Sequence, residues 1–252
     1  MRTPIQIACA FLGAMLWAGS VPAAGLQVTP VLVELTTAQK NAIISLRNDG
    51  VTPSRYQANV VSWSQDESGQ MKFAPTRDVI LFPQLLTLQP GEQRNIRVGV
   101  TGEKFGALEK SYRVFIEELP PTERAGERPA VQVLTRLGIP VFLEPGRTVA
   151  SSRIEAKPVE SGKLVFRLKN LGNVRVRPTE VLAVGMAADG KAAGPRERWE
   201  GWYVLAAADR VYEWTLPKDG CAQVHSIHIE ARFQQGEPVR STVDVPRGSC
   251  AP

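Results

Sequence analysis

The chain has 252 residues, enough for one or two domains, and 43% of them are hydrophobic, which suits a globular protein with a buried core. Its 30 basic and 25 acidic residues leave a net charge of +5, and the excess is spread thinly over the second half. A charge this small and this scattered argues against a nucleic-acid-binding protein.

The first residues have the pattern of an export signal. Arg2 supplies a positive charge, an apolar run follows over residues 5–19, and small residues around Ala23 suit cleavage by a signal peptidase. The run is short for a transmembrane anchor, and no similar run follows it. We therefore predict a signal peptide over residues 1–24 and a soluble, exported mature chain.

From Leu26 onward, short apolar strands alternate with polar turns, and Pro145-Gly146 interrupts this pattern near mid-chain. The strands predicted before the interruption occupy residues 26–35, 41–47, 56–63, 78–82, 93–100, 111–119 and 130–145. Those predicted after it occupy residues 153–156, 163–170, 179–186, 201–205, 210–216, 225–233 and 241–245. Strands this short and this evenly spaced are typical of immunoglobulin-like sandwiches.

The two halves also share a motif. LVFRLKNLGN at 164–173 repeats the position and chemistry of AIISLRNDG at 42–50. We therefore predict an all-β protein with two immunoglobulin-like β-sandwich domains, over residues 25–145 and 146–252, with Trp63 in a core.

The segment AVQVLTRLGIPVFLEP at 130–145 is the longest predicted strand. Its alternate residues from Val131 to Leu143 share one mostly apolar face, and Leu134 and Phe142 on the other face are core candidates. Pro140 has no N–H for a sheet ladder, so the strand should lie at an edge. Soluble proteins normally protect a long apolar edge, and an edge left open predicts that a partner adds its own strand there.

The two cysteines outside the predicted signal favour a disulfide. Cys221 and Cys250 form an even pair in an exported chain, and a bridge would close a loop of about 30 residues, worth roughly 3–4 kcal/mol. Zinc would need two more ligands, and His225 and His228 point to opposite faces of their predicted strand. We expect no metal site.

The sequence contains no recognisable catalytic motif or phosphate loop, so we predict neither an enzyme nor a bound cofactor. Glu117 and Glu118 are adjacent on a strand and therefore face opposite ways. Arg136 stands out because it lies among apolar residues of the edge strand. There it could bind a partner's carboxylate through a charge-assisted hydrogen bond.

Six segments in order resemble the periplasmic chaperones of the chaperone–usher pilus pathway, above all the branch that serves archaic or spore-coat-U-type fimbriae. They are LQVTPVLVEL at 26–35, AIISLRNDG at 42–50, the PxLLxLxPG run at 83–91, IRV at 96–98, YRVFIEELP at 112–120 and LGIPVFLEP at 137–145. The resemblance covers the first domain well, whereas the second matches mainly in size, strand content and its late cysteine pair. It implies two immunoglobulin-like domains set at an angle, with a subunit-binding cleft between them.

The resemblance also implies a donor strand. By position, Val131, Val133 and Thr135, with Leu137 next, would be lent to a pilus or fimbrial subunit that lacks a strand. An outer-membrane usher would then receive the complex in the periplasm.

The chain departs from the better-known members at the carboxylate anchor. They hold the subunit's terminal carboxylate with an arginine on the first strand and a lysine late in the last, where this chain has Pro30 and Pro140. The candidate replacements are Arg136, Arg113 and Arg97. Glu144 replaces a further arginine before the linker proline, so a domain-bridging salt bridge would need reversed charge.

Two other classes of protein stay open from the sequence. An exported structural subunit or adhesin built of β-sandwiches would normally be one incomplete sandwich with a donor extension, whereas two complete sandwiches are predicted here. An exported enzyme on the same fold would need acid–base or metal-binding residues, which are scarce in this chain.

Overall fold

The computed structural model describes residues 25–121, 133–221 and 223–250, and the predicted signal peptide lies outside these ranges. Apart from one helical turn, α1 (Lys218–Cys221), the secondary structure in them is all β. The first sandwich contains β1 Leu26–Thr29, β2 Val33–Leu35, β3 Asn41–Asn48, β4 Ser54–Gln65, β5 Met71–Pro75, β6 Val79–Phe82, β7 Leu85–Leu88, β8 Gln93–Val100, β9 Lys110–Leu119 and β10 Arg136–Leu143. The second contains β11 Ser152–Ala156, β12 Lys163–Asn170, β13 Pro178–Met186, β14 Ala192–Glu200, β15 Asp209–Thr215, β16 Ser226–Phe233 and β17 Val239–Asp244.

Each half is a pair of packed sheets, which confirms the predicted fold class. The first sandwich packs a sheet of order β1-β3-β8-β6 on one of order β2-β10-β9-β4-β5, and β7 also pairs with β4. Alternate side chains of both sheets point inward, so that Ile44 and Leu46 of β3 meet Val114 and Ile116 of β9 in one buried core. Burying each such side chain contributes roughly 1.5–3 kcal/mol.

The strand predicted over residues 26–35 is two strands in the structure. β1 pairs with β3 in one sheet, whereas β2 pairs in parallel with β10 in the other. Pro30 lies between them, where it cannot donate to either ladder. The proline therefore marks a crossing from one sheet to the other.

The second sandwich packs β11-β12-β15 on β14-β13-β16-β17. The strand predicted over residues 201–205 is wrong, because the pairing strand is β14, and Val204 makes only an isolated bridge with Val176. β14 was missed because charged residues, small residues and Pro195 give it little apolar signal. In the first sandwich, β5 and β7 were missed as well.

The motif that the two halves share contains a buried asparagine in each copy, Asn48 in the first and Asn170 in the second. The Asn48 side chain donates to Leu88 O at 3.1 Å and accepts from Gly50 N at 2.9 Å. Asn170 donates from Nδ2 to three carbonyl oxygens at 2.8 to 3.0 Å and accepts from Gly172 N at 2.9 Å. Each amide thus ties the turn after a strand to neighbouring backbone, which explains the sequence repeat.

A disulfide joins Cys221 in α1 to Cys250 near the C-terminus, as predicted. It ties the turn before β16 to the chain after β17. No helix in the ranges given above is long and apolar enough to cross a membrane.

Candidate functional site: the β10 edge and the cleft between the sandwiches

β10 is half open. It pairs with β9 along its whole length, but β2 covers its other side only at Val141–Leu143. Within the described chain, Arg136–Pro140 is therefore an edge, and Pro140 lies where that edge ends. The regular strand is shorter than the predicted 130–145: it begins at Arg136 and ends at Leu143, and residues 133–135 are not part of it.

The residues before β10 extend this edge. The Thr135 carbonyl accepts a hydrogen bond from Glu118 N at 2.8 Å, so the chain still follows β9 there. Val133 is 83% exposed, and Leu134, which we predicted to be in the core, is 42% exposed. The prediction for Leu134 is wrong because this residue precedes the regular strand β10, and the described residues cover its side chain only in part. Val131 lies outside the described residues.

The donor face continues the sandwich core. Ile139 and Val141 point into the core, and Leu137, opposite Ile116, is half buried on the same side. Two-residue alternation carried backwards brings Thr135 and then Val133 to this side. An apolar face that is covered at Ile139 thus becomes progressively exposed towards Val133.

The other face of the β10 sheet points into a cleft between the two sandwiches. There, the side chains of Trp63 in β4 and Phe142 in β10 project from the first sandwich and pack against Tyr203 and Leu205 of the second. The ring centroids of Trp63 and Tyr203 are 5.8 Å apart, and those of Phe142 and Tyr203 are 5.5 Å apart. Trp63 is buried as predicted, but between the domains rather than within the first core.

Arg113 lies on this cleft-facing side, directly opposite Pro140 across the β9–β10 ladder. Its guanidinium carbon is 5.3 Å from the centroid of the Trp63 ring, and a terminal nitrogen donates to the Gly138 carbonyl at 3.3 Å. Its Nε is buried and has no hydrogen-bond partner among the described residues. Burial lowers the pKa of Arg113, but an arginine remains charged at neutral pH.

The structure does not bring the other two candidate anchors to the same point. Arg136 is already paired with Glu117 at 2.7 Å, and its guanidinium carbon lies 4.1 Å from the centroid of the Phe115 ring. Arg97 belongs to β8, in the opposite sheet of the first sandwich. Arg113 is thus the candidate whose charge is uncompensated within the described chain and faces the cleft.

A cluster of charges joins the sandwiches at the base of the cleft. Arg175 of the second sandwich bonds the carboxylates of Glu34 and Glu109, and Glu144 lies 3.7 Å away. Its guanidinium carbon is 3.9 Å from the centroid of the Phe142 ring, and its backbone N–H donates to Glu109 at 3.0 Å. Because Glu144 replaces an arginine of the better-known members, we expected a domain-bridging salt bridge of reversed charge, and this cluster is such a bridge.

A hairpin of the first sandwich forms a second bridge. The side-chain amide of Gln65 bonds to the backbone of the second sandwich. It donates to Tyr203 O at 2.9 Å and accepts from Leu205 N at 3.1 Å. At the tip of the β4–β5 hairpin, the Glu67 carboxylate lies 2.9 Å from Arg167. A cavity of about 730 Å³ lies beside the Arg175 cluster. Glu34 and Glu144 line it from the first sandwich, and Arg175 and Tyr203 are among the residues that line it from the second.

Sequence reasoning missed several residues that build this site. Gly138 gave a usable signal, since a glycine inside a strand often marks a close approach of other atoms. Arg175 and Gln65 gave none, because their partners are far away in the sequence. No group of three metal-ligating side chains is present in the described parts of the chain.

Comparison with known proteins supports the same fold. Residues 25–148 match the family model described as "Pili and flagellar-assembly chaperone, PapD N-terminal domain". A chain in the CsuC–CsuE chaperone–tip adhesion subunit complex of the archaic Csu pili of Acinetobacter baumannii matches at 19% identity. That match covers 86% of this chain and 98% of the other, with a TM-score of 0.60. A search of curated proteins found no match.

Two further solved structures share the two-domain fold. The class 5 fimbriae chaperone CfaA is 13% identical, over 88% of this chain and all of its own, with a TM-score of 0.57. A chain in the complex of the Salmonella enterica SafA pilin with the SafB chaperone is 15% identical, over 88% of this chain and 97% of its own, with a TM-score of 0.55.

The first domain belongs to the pilus-assembly chaperones of the chaperone–usher pathway, as the match of residues 25–148 to the family model shows. This confirms the resemblance seen in the sequence. The family and fold are those of non-enzymatic chaperones, and chaperones of this pathway are periplasmic.

Proposed function

We propose that this protein captures a fimbrial subunit in the periplasm by donating its open β10 edge, and then delivers the subunit to an outer-membrane usher. The half-open edge carries this proposal. Arg136–Pro140 can pair with a further strand, and the exposed face that includes Val133 can enter an apolar groove. The proposed donor residues are Val131, Val133, Thr135 and Leu137.

The similar structures support a subunit as the partner, because two of them are complexes of a chaperone with a tip adhesion subunit or a pilin. We assign the binding of the subunit's terminal carboxylate to Arg113. Its charge is next to Pro140, the position at which the better-known members carry their lysine, but on the neighbouring strand. Its buried Nε, which has no hydrogen-bond partner in the ranges that the structure describes, would gain an acceptor.

Delivery requires a surface that stays free while the β10 edge is occupied. The outer face of the other sheet exposes Ile43, Ile80 and Phe82 around Arg97. Contiguous apolar patches on soluble proteins commonly mark interaction sites. We assign the contact with the usher to this face.

Val133→Asp tests strand donation. The substitution would bring a charge into the subunit's apolar groove, so capture should fall by at least about a hundredfold, since burying an unpaired charge costs several kcal/mol. The melting temperature should not change, because the side chain is exposed in the free protein. The measurement is the amount of fimbrial subunit that co-purifies with the tagged protein when it is expressed in its native host.

Val149→Asp is the matched control, since this valine is also exposed but lies beyond β10. Capture that survives Val133→Asp would refute strand donation. A wild-type protein that purifies as polymers of itself would instead favour a structural subunit.

Arg113→Gln tests the anchor. It should weaken capture roughly ten- to a hundredfold, the value of a charge-assisted hydrogen bond, as measured by titration of the purified subunit. Arg97→Gln removes the same charge from the opposite sheet and should leave the affinity unchanged. Equal losses in both variants would show a general charge effect and no anchor at Arg113.

A further inference from the structure

Gly138 leaves room that the Arg113 side chain occupies. A Cβ atom at Gly138 would lie 2.6 Å from Arg113 Nε, 3.3 Å from Arg113 Cζ and 3.1 Å from Phe115 Cε1. The first of these distances is impossible for a real side chain. The backbone of Gly138 is not in the left-handed region, so turn geometry does not require the glycine. What requires it is the guanidinium lying across β10.

Several contacts hold the guanidinium in this position. One terminal nitrogen donates to the Gly138 carbonyl itself, and the Trp63 ring lies on one side. The buried Nε–H is left without a partner within the described chain. An unsatisfied buried donor is unfavourable unless an acceptor arrives, so this geometry keeps a donor ready for one.

A methyl group at Gly138 should move the arginine rather than the sheet. The atoms that it would overlap most are at the far end of a long, flexible side chain, whereas the β9–β10 ladder is backbone. The consequence is a change in where the charge lies, with little change in the fold. Gly138 thus differs from Gly99 of β8, where the nearest atom to an added Cβ is 3.9 Å away.

We propose that Gly138 is a positioning residue that holds the Arg113 guanidinium in the cleft, ready for an acceptor on the captured subunit. The inference rests on the proposed role of Arg113 as carboxylate anchor. It adds a requirement on the donor strand itself, which must have no side chain at this one position on its cleft-facing side.

The first test needs no ligand. The Nε–H signal of Arg113 in a ¹⁵N NMR spectrum, assigned by its loss in Arg113→Gln, should be shifted by the Trp63 ring and protected from exchange. In Gly138→Ala it should move to the range of free arginine, with a melting temperature within about 3 °C of wild type. Gly99→Ala, the same substitution on another strand of this sandwich, should leave the signal in place. A signal that is unchanged in Gly138→Ala overturns the proposal.

The second test is a double-mutant cycle on subunit binding, with the subunit that co-purifies with the wild-type chain as the probe. Gly138→Ala should weaken binding about tenfold in the wild-type background and less than twofold in Arg113→Gln, because the group it displaces is already gone. Additive losses would show that Gly138 acts on the strand alone, and they overturn the proposal. If the wild-type chain captures no subunit, the proposed function fails, and the NMR result still decides this inference.

Discussion

At the scale of single residues, the turns of both sandwiches depend on one amide each. Asn48 and Asn170 are almost fully buried, and each satisfies backbone groups of a turn that has no sheet partner. Such groups cost free energy when they are buried without a hydrogen bond. The repeated Asn in the two motifs was visible in the sequence, but its three-way bonding in the second sandwich depends on Val204 and Leu205 far along the chain.

Asn170→Ala should lower the free energy of unfolding by about 3 kcal/mol, because three carbonyl groups and the Gly172 N–H lose their partner. Urea denaturation of the purified chain measures this change. Asn95→Ala removes an exposed asparagine of β8 and should stay within about 0.5 kcal/mol of wild type. A small effect at Asn170 would mean that water replaces the amide.

At the scale of elements, the two sheets of the first sandwich expose different surfaces. The β10 edge offers backbone groups and a partly exposed apolar face, whereas the outer face of β3, β6 and β8 offers side chains alone. Because these surfaces belong to opposite sheets, occupation of one need not cover the other. This arrangement suits a protein that must hold one partner while it contacts a second.

Phe82→Ser tests the second surface. Phe82 is 77% exposed and is the most exposed apolar side chain that we named in this patch, so its loss should weaken binding of the chaperone–subunit complex to the purified usher by about tenfold or more. Capture of the subunit should be normal. Leu171→Ser removes an exposed apolar side chain from the second sandwich and should affect neither interaction. Usher binding that is unaffected by Phe82→Ser would exclude this face.

At the scale of the whole molecule, two bridges hold the sandwiches around the cleft. The Arg175 cluster places three carboxylates, from Glu34, Glu109 and Glu144, around a single guanidinium. The Glu109 side chain is fully buried, and this burial raises its pKa although Arg175 opposes the shift. The bridge is therefore sensitive to protonation.

The direction of the pH effect follows from the raised pKa of Glu109. Above the ordinary glutamate pKa of about 4.3, the folded chain still holds a proton that the unfolded chain has lost, so this group's contribution to stability is lost as the pH rises through the folded pKa. Glu109→Gln keeps the hydrogen-bonding shape without the charge. Its stability relative to wild type, from urea titrations at several pH values, should therefore increase as the pH rises.

Glu103→Gln is the control, because it removes an exposed carboxylate outside the Arg175 cluster. Its stability difference from wild type should not follow the same trend. If the stability of Glu109→Gln relative to wild type fell steadily with rising pH, Arg175 would stabilise the ionised carboxylate more than burial penalises it.

The amino-acid sequence by itself was enough for the all-β class, both sandwiches, the disulfide and the edge character of β10. These depend on two-residue periodicity, proline positions and a cysteine pair, which are local signals. The missed strands β5, β7 and β14 have weak alternation, and only pairing with neighbours makes them strands. Tertiary structure alone decided that β2 closes half of the β10 edge and leaves the other half open.

Tertiary structure also decided which arginine faces the cleft. Arg97, Arg113 and Arg136 all interrupt apolar strands in the sequence, and the local pattern drew attention to Arg136 rather than to Arg113. Sheet pairing puts Arg97 on the far sheet and gives Arg136 a partner, while Gly138 makes space for Arg113. The reason is physical: a residue's charge is in its sequence, but its burial and its partners come from strands that are distant along the chain.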